Sequence, residues 1–472
     1  MTSLHTEVLV IGSGAGGATT AAVLAEAGKA VTVVEEGPWV EPDAVDPFSM
    51  DEMMAKYRHQ GSSAALGSPT IAYAEGRCVG GSTEINSGLW HRLPDNLAAA
   101  WAAEADITEF TPSVLHRYAA MVEDWQSVSK LPGPPPISSA ILARGADKLG
   151  WRSVEFPRVF RFNGDRSEKQ TMLRTLLPRA VAAGATVLPN TRATAVTFDG
   201  RRATGIVGTR TVDGVDEPIS ISADHVVVCG GAIQTPALLQ RSGIRRGVGV
   251  GLKFHPTVKL AARFEHALDH DSVPMHRVTE FAPNLTIGGS ASRMGHVALA
   301  LTDGGVDVGP ALAQWENVGI YYAAIRSDVS GRVVSVPGLA APVVTYRLTE
   351  GDLSRLCRGL IHLGELLLAA GAIELFPSIA DAPVVRDLNG LHSWWRAFDR
   401  RRARLMTVHL TSSMRMGERP GSAAADSFGR VHGFSGLRVN DASLLPDAPG
   451  VNPQAAIMTI AARNADHLLA ES

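Results

Sequence analysis

Val8-Leu9-Val10-Ile11-Gly12-Ser13-Gly14-Ala15-Gly16-Gly17 decides how this 472-residue chain is read. Four apolar residues in a row read as a short buried strand. The turn behind them sets Gly12, Gly14 and Gly17 at G-x-G-x-x-G spacing. Gly12 permits a tight turn, Gly14 lets backbone approach a pyrophosphate, and Gly17 lets a helix pack closely on the strand. An alanine-rich helix is expected to follow, from about Ala18 to Ala27, closed by Gly28 as a left-handed cap. Its N-terminus offers unpaired N–H groups and the positive end of a dipole to phosphates. Ala30-Val31-Thr32-Val33-Val34 reads as a second strand. Glu35 ends it, 18 residues after Gly17, where a carboxylate can accept ribose hydroxyls. Strand, turn, helix and acidic residue fall in register, so the segment reads as a dinucleotide-binding βαβ unit. It does not separate FAD from NAD.

Working outward, composition narrows the classes. With 472 residues and 45% hydrophobic content the chain can bury a sizeable core, in roughly three domain-sized units. A net charge of −3 argues against nucleic acid as the main partner, because such proteins carry a basic stripe. Cys78, Cys229 and Cys357 form no CxxC pair. Neither disulfides nor a metal site is expected, and a reducing compartment, the cytoplasm, is the simpler reading. No basic-then-apolar leader opens the chain, and no run of about 18 apolar residues occurs, so neither export nor a transmembrane segment is expected.

Residues 36–76, with Pro38, Pro42, Pro47 and Pro69, read as a long irregular loop of the lid kind. Leu131-Pro132-Gly133-Pro134-Pro135-Pro136 reads as a stiff connector. Residues 185–188 and 193–198 read as strands, 203–212 and 218–223 as a hairpin, and His225-Val226-Val227-Val228-Cys229 as a separate buried strand. Residues 256–346 suggest an antiparallel sheet, with Val343-Val344-Thr345-Tyr346-Arg347-Leu348 its clearest strand. Residues 351–370 read as a helix. The expected fold is therefore α/β. A discontinuous, Rossmann-like cofactor domain (1–100, 185–255 and 420–472) carries an inserted substrate domain (101–184 and 256–419) built on an antiparallel sheet plus helices.

A second glycine-rich stretch, Gly76-Arg77-Cys78-Val79-Gly80-Gly81-Ser82-Thr83-Glu84-Ile85-Asn86-Ser87-Gly88-Leu89-Trp90, adds a loop able to lie against a flat ring. Ser82, Thr83 and Asn86 can hydrogen-bond to it. This stretch resembles the first signature of the glucose–methanol–choline (GMC) flavin oxidoreductases. Gly231-Ala232-Ile233-Gln234-Thr235-Pro236-Ala237-Leu238-Leu239-Gln240-Arg241-Ser242-Gly243-Ile244 resembles the second, departing at Arg245, where glycine is usual. Gly247-Val248-Gly249 with His255-Pro256 resembles the segment that commonly follows. His409-Leu410-Thr411-Ser412-Ser413-Met414-Arg415-Met416-Gly417 resembles the catalytic-histidine segment. Val439-Asn440-Asp441-Ala442-Ser443 and Gly450-Val451-Asn452-Pro453 resemble the closing element. The resemblance runs from Thr6 to the C-terminus and is weakest in the middle block. In look it is closest to bacterial long-chain alcohol, cholesterol and choline oxidases.

The resemblance implies FAD, held through Gly12, Gly14, Ala15, Gly17, Glu35, Arg77, Gly81, Ser82, Asn86, Gly88, Ala193, Asp441, Ala442, Asn452, Pro453 and Gln454. Covalent members often use a histidine in the loop that here spans Gly80 to Asn86. This loop has none, so non-covalent FAD is expected. The resemblance makes His409 the catalytic histidine and gives Asn452 the second position, held in the family by His or Asn. The implied reaction takes an alcohol, by expectation a hydrophobic primary or secondary one, to an aldehyde or ketone. The hydroxyl loses its proton and the carbon passes a hydride to flavin N5.

Elementary chemistry agrees. A carbinol carbon is a poor hydride donor until its oxygen gains negative charge. A histidine of ordinary pKa ~6.5 can accept the proton, worth roughly 10²–10⁴-fold in rate. Asn452 offers a neutral amide to the same oxygen, and Asn452-Pro453 also reads as N-cap and first residue of a C-terminal helix. Oxygen or a redox carrier would take the electrons. Other readings stay open: a cyanohydrin-type lyase that keeps FAD without redox turnover, and an NAD-dependent dehydrogenase. A lone histidine on an apolar strand is usually a satisfied core residue, and His255 is read that way. Residues 394–404, rich in Trp and Arg, read as a solvated helix face or as a contact for a membrane surface or partner.

Overall fold

The structure is a computed structural model that describes residues 2–164, 166–304 and 308–471. The opening strand Thr2–Ile11 lies at the centre of a seven-stranded sheet. It runs parallel to Val31–Val34 on one side and to Val215–Val228 on the other. Thr186–Leu188 extends the parallel part beyond Val31–Val34, and Leu437–Val439 joins Val215–Val228. Thr191–Asp199 and Arg202–Val212 add an antiparallel flap.

The helix Ala15–Glu26 buries Ala18, Ala21, Ala22, Leu24 and Ala25. Small side chains let it pack closely against the C-terminal helix Gln454–Glu471 and the helix Leu176–Ala182. Gly16 sets that approach, since a Cβ there would sit 2.1 Å from the Asn440 carbonyl oxygen. Asn440 then bonds Thr20 Oγ1 at 2.8 Å and the Ala461 carbonyl at 3.0 Å, and accepts from Asn464 at 3.0 Å. One buried amide thus ties the first helix, the Leu437–Val439 strand end and the last helix together.

The second layer is a nine-stranded sheet, antiparallel except for one pair. Its central strands are Thr257–Arg263, Val318–Ile325, Leu285–Gly289 and His276–Val278. The helix Glu350–Ala369 covers it with Leu353, Leu356, Leu360, Leu363 and Leu367, the three-and-four spacing of one helical face. A capping box between Thr349 and Asp352 starts that helix. No helix among the described residues is long and apolar enough to cross a membrane.

Several expectations need correcting. Residues 36–76 are not one irregular loop. They hold the helix Met50–Lys56 and the strands Ser63–Ala65 and Ile71–Tyr73, which form an edge of the nine-stranded sheet. The elements are short and separated by prolines, so no periodicity accumulates. The hairpin's second arm and the buried run at 225–229 are a single strand, Val215–Val228. Alternate burial of Ile219, Ile221 and Ala223 carries through Asp224 into the fully covered Val226–Val228. Only Val343–Thr345 of the "clearest strand" is a strand, and it belongs to a separate four-stranded sheet with Gly331–Val334, Val250–Phe254 and Leu410–Thr411. Tyr346 is core: its ring stacks on Phe254 at 4.4 Å and 11°. The C-terminal helix starts one residue late, with Ile457 N–H on the Pro453 carbonyl at 2.9 Å. Pro453 is therefore the cap position and Asn452 lies just outside it. Residues 394–404 form no continuous helix. Trp394 is buried, Trp395 is exposed, and Arg400 and Arg402 are paired with Glu350 and Asp399.

Candidate active site

The cofactor cradle is built where the two glycine-rich turns touch. Gly12 takes φ +103, and a Cβ there would meet the Cys229 carbonyl at 2.4 Å. A Cβ on Gly81 would lie 2.8 Å from Gly14 Cα. Ser13 Oγ joins the turns, accepting from Gly80 N at 3.0 Å and donating to Glu35 Oε2 at 2.7 Å. The helix Ala15–Glu26 has no side-chain cap and no acidic residue in its first turn. Its N–H groups are therefore left for an anion, as a pyrophosphate requires.

Glu35 also accepts from Ser13 N at 3.0 Å and Gly37 N at 2.9 Å. Burial pushes its carboxyl up, and Oε1 keeps one acceptor position for a ribose hydroxyl. Arg77 points to Glu36 at 3.2 Å. Burial opposes the Glu36 charge, but Arg58, Arg192 and Arg77 together hold its carboxyl at about 2. Ser82 Oγ accepts from Gly76 N at 3.0 Å. Ala193 is a buried residue of the Thr191–Asp199 strand, beside a bulge.

The loop at 84–88 meets the start of the last helix. Asn86 Nδ2 donates to Gln454 Oε1 at 2.7 Å and Asn86 Oδ1 accepts from Gly88 N at 3.0 Å. Lys169 clamps the loop from below, donating to the Glu84 and Asn86 carbonyls at 2.7 and 2.8 Å. Burial lowers its ammonium to about 8. Asp441 is held by four hydrogen bonds. Its carboxylate takes Ser443 N and Oγ on one oxygen, and Gly231 N and Thr235 Oγ1 on the other. Every acceptor position is filled, so Asp441 and Ala442 can offer a phosphate only backbone. Asn452 Oδ1 is buried and has no partner.

The residues with acid–base chemistry are set by one piece of register. Phe254 pairs with Leu410 in antiparallel strands, so the next residues, His255 and His409, fall side by side. Their Nδ1 atoms are 2.8 Å apart and the rings meet edge to face at 87°. Gly450 N–H donates to His255 Nε2 at 3.1 Å. A backbone N–H can only donate, so in the neutral ring the His255 proton sits on Nδ1 and faces His409 Nδ1. It follows from this pattern that neutral His409 rests with its own proton on Nε2. Thr407 Oγ1 fixes the backbone of His409 through its N–H and carbonyl, both at 3.2 Å. The following Ser412 is held at φ +72, a strained value for a serine, by its N–H on the Ala442 carbonyl.

Burial lowers the His255 pKa to about 3, helped by Arg277 and Arg326. Burial, then His255 and Arg277, pushes His409 well below the ordinary range. Both rings are neutral at physiological pH. The loop bearing Gly450 and Asn452 is anchored beside them by Asp447, which binds Arg326 at 2.6 Å and Lys253 at 3.2 Å. One imidazole, His255, is thus bonded both to His409 and to the loop that carries Asn452.

The expected residues 12–17, 35, 76–88, 441–442 and 452–454 converge on one region. Sequence reasoning left His255 in the core and passed over His91, Arg277 and Tyr322. His91 directly follows the Gly76-to-Trp90 stretch, which was the available signal. Arg277 carried none. The touching glycine turns, the uncapped helix and the orphaned Asn452 oxygen fit a phosphate-bearing, ring-bearing cofactor such as FAD.

Comparison with known proteins points the same way. GMC oxidoreductase family models match residues 7–257 and 329–461. A GMC-type oxidoreductase of Sinorhizobium fredii is 37% identical over 99% of this chain and 95% of its own length. A long-chain-alcohol oxidase of Arabidopsis thaliana is 25% identical over 97% of this chain and 66% of its own length. Among solved structures, a formate oxidase of Aspergillus oryzae superposes with a TM-score of 0.76, at 17% identity, over 100% of this chain and 99% of that one.

Proposed function

The chain belongs to the GMC oxidoreductase family and is an FAD-dependent oxidoreductase, and from that premise we propose that it oxidises a hydrophobic primary or secondary alcohol to an aldehyde or ketone. The observation that carries this reading is the His255 ring bonded at once to His409 and to the Asn452 loop. Similarity to long-chain-alcohol oxidases supports the apolar substrate.

FAD, when bound, supplies the acceptor for the hydride leaving the carbinol carbon. The protein's part is at the oxygen. Asn452 holds it with a neutral amide, which fixes the C–H direction. His409, at rest, meets it with Nε2–H. To take the hydroxyl proton on Nε2 it must carry its own proton on Nδ1, so the His255 proton shifts from Nδ1 to Nε2 and the bond from Gly450 N–H is given up. Base catalysis therefore draws on the His255–His409 hydrogen bond, not on His409 alone. The absence of histidine from residues 80–86 supports non-covalent FAD. The seven-stranded sheet draws on residues 2–34, 186–228 and 437–439, which supports a cofactor domain from 1–100, 185–255 and 420–472 and a substrate domain from the remainder. Three free, buried cysteines suit a cytoplasmic location. Any surface contact through 394–404 would rest on Trp395, the exposed aromatic there.

The test is anaerobic mixing of the holoenzyme with a panel of alcohols. Loss of the oxidised-flavin absorbance, matched by aldehyde or ketone formed, is the expected result. Product formed without bleaching would assign a lyase instead.

A further inference from the structure

Four arginines are buried among the described residues: Arg158, Arg277, Arg438 and Arg463. Three are compensated. Arg158 pairs with Glu155 at 3.2 Å and Arg438 with Glu471. Arg463 donates to the carbonyls of Glu109, Thr108 and Ser427 and to Asn464 Oδ1. Arg277, 4% exposed, has no carboxylate within ion-pair distance and no carbonyl partner among the described residues. Its guanidinium donates to Tyr322 Oη at 2.8 Å and, weakly, to His91 Nε2 at 3.4 Å, both neutral groups. Its Nε is buried without a partner. An uncompensated buried cation is among the costliest arrangements a fold can carry.

Each of the two neighbours accepts from Arg277 and keeps a donor free. Tyr322 Oη receives the Arg277 bond, so its own O–H remains to be donated. His91 accepts from Arg277 on Nε2, so its proton is on Nδ1, which is buried and unpartnered. Gly288 lets the Tyr322 ring end pack against the strand, since a Cβ there would lie 2.8 Å from Tyr322 Oη. The cluster belongs to the histidine site: the Arg277 charge acts on His91, His255 and His409 alike. Beside it Leu89, Val273, Met275 and Ala291 form an apolar cluster with Phe156 against it.

We propose that Arg277, Tyr322 and His91 form a carboxylate subsite, so that the alcohol oxidised carries a carboxylate on an apolar body. Arginine and a hydroxyl donor suit the planar, two-oxygen anion. This subsite rests on the alcohol-oxidation reading given above. The carbinol carbon would lose a hydride, two electrons, to FAD and its oxygen would lose a proton to the protein. The carboxylate is unchanged and the product is an oxo acid.

Binding and turnover are tested separately on the holoenzyme. Hexanoate and hexanamide are titrated by calorimetry against wild type, Arg277→Met and Arg277→Lys, with FAD content checking that each variant folds. Hexanoate should bind wild type at least about tenfold more tightly than hexanamide, lose that preference in Arg277→Met and regain part of it in Arg277→Lys. Equal binding of acid and amide to wild type, or an unchanged preference in Arg277→Met, overturns the subsite. Anaerobic bleaching is then compared for a series of hydroxy acids and the matching alcohols. Faster bleaching by the acids in wild type alone supports the subsite. If the alcohols bleach as readily as the acids in both proteins, the subsite fails and alcohol oxidation stands. If neither class bleaches while hexanoate binding still depends on Arg277, alcohol oxidation fails and the anion site stands.

Discussion

Replacing His255 with Asn separates what its ring contributes at neutral pH from what it costs in acid. The ring accepts from Gly450 N at 3.1 Å and bonds His409 at 2.8 Å. Asn can place a carboxamide nitrogen near Nδ1 but cannot reach Gly450. One buried bond and some packing are lost, so at about pH 7.5 the variant should be less stable by about 1–3 kcal/mol. Acid changes the comparison. The native ring stays neutral down to about 3, because burial and then Arg277 and Arg326 oppose its charge. In the unfolded chain it protonates near ~6.5. Between those values the unfolded state binds a proton that the native state refuses, so native stability falls as pH falls. The slope is about 1.4 kcal/mol per pH unit, or about 2 kcal/mol by about pH 5. The variant lacks this liability. Urea unfolding of both holoenzymes, at fixed excess FAD, should show the wild-type advantage shrinking by about 2 kcal/mol between about pH 7.5 and about pH 5. An advantage of the same size at both pH values would refute the buried neutral ring.

Other outcomes are as definite. His409→Ala should slow anaerobic flavin bleaching by substrate roughly 10²–10⁴-fold while FAD stays bound; a rate near wild type removes His409 from the chemistry. Because burial and Arg277 push His409 well below the ordinary range, the acid limb of the bleaching rate should fall below pH ~6.5, and a limb at or above that value contradicts the site's electrostatics. Lys169→Met removes two bonds from the 84–88 loop and should weaken FAD binding by at least about tenfold, read by FAD titration of the apoprotein; unchanged affinity would show that the clamp does not hold the cofactor loop. Gly17→Ala would bring a Cβ to 1.9 Å from the Gly12 carbonyl oxygen, so it should yield protein without FAD; a stable, yellow variant would disprove the tight helix–turn packing.

Local chemistry explains what could be read from the chain alone. The first strand, its turn and the alanine helix were legible because glycine spacing and periodicity act over a few residues. The two cofactor turns were legible one at a time; their contact through Ser13 and Gly80 was not. Asn86 and Gln454 were both singled out, yet their direct bond spans 368 residues. His255 is buried with both ring nitrogens bonded, as read, but its contact with His409 was not legible because the Phe254–Leu410 register is a long-range property of two short strands. That Ser443, Thr235 and Gly231 together saturate the Asp441 carboxylate was not legible, because Thr235 and Gly231 lie 206 and 210 residues away. Arg277 was invisible because a missing carboxylate leaves no mark in a sequence.

The central claim is that hydride leaves the carbon bearing the hydroxyl, with His409 and Asn452 acting on that oxygen. It is tested most directly by rapid anaerobic mixing of the holoenzyme with one alcohol, unlabelled or deuterated at the carbinol carbon. Flavin bleaching should slow several-fold on deuteration, with one deuterium lost from the carbinol carbon for each aldehyde or ketone formed. Bleaching at the same rate for both, or flavin left oxidised while product forms, contradicts the account.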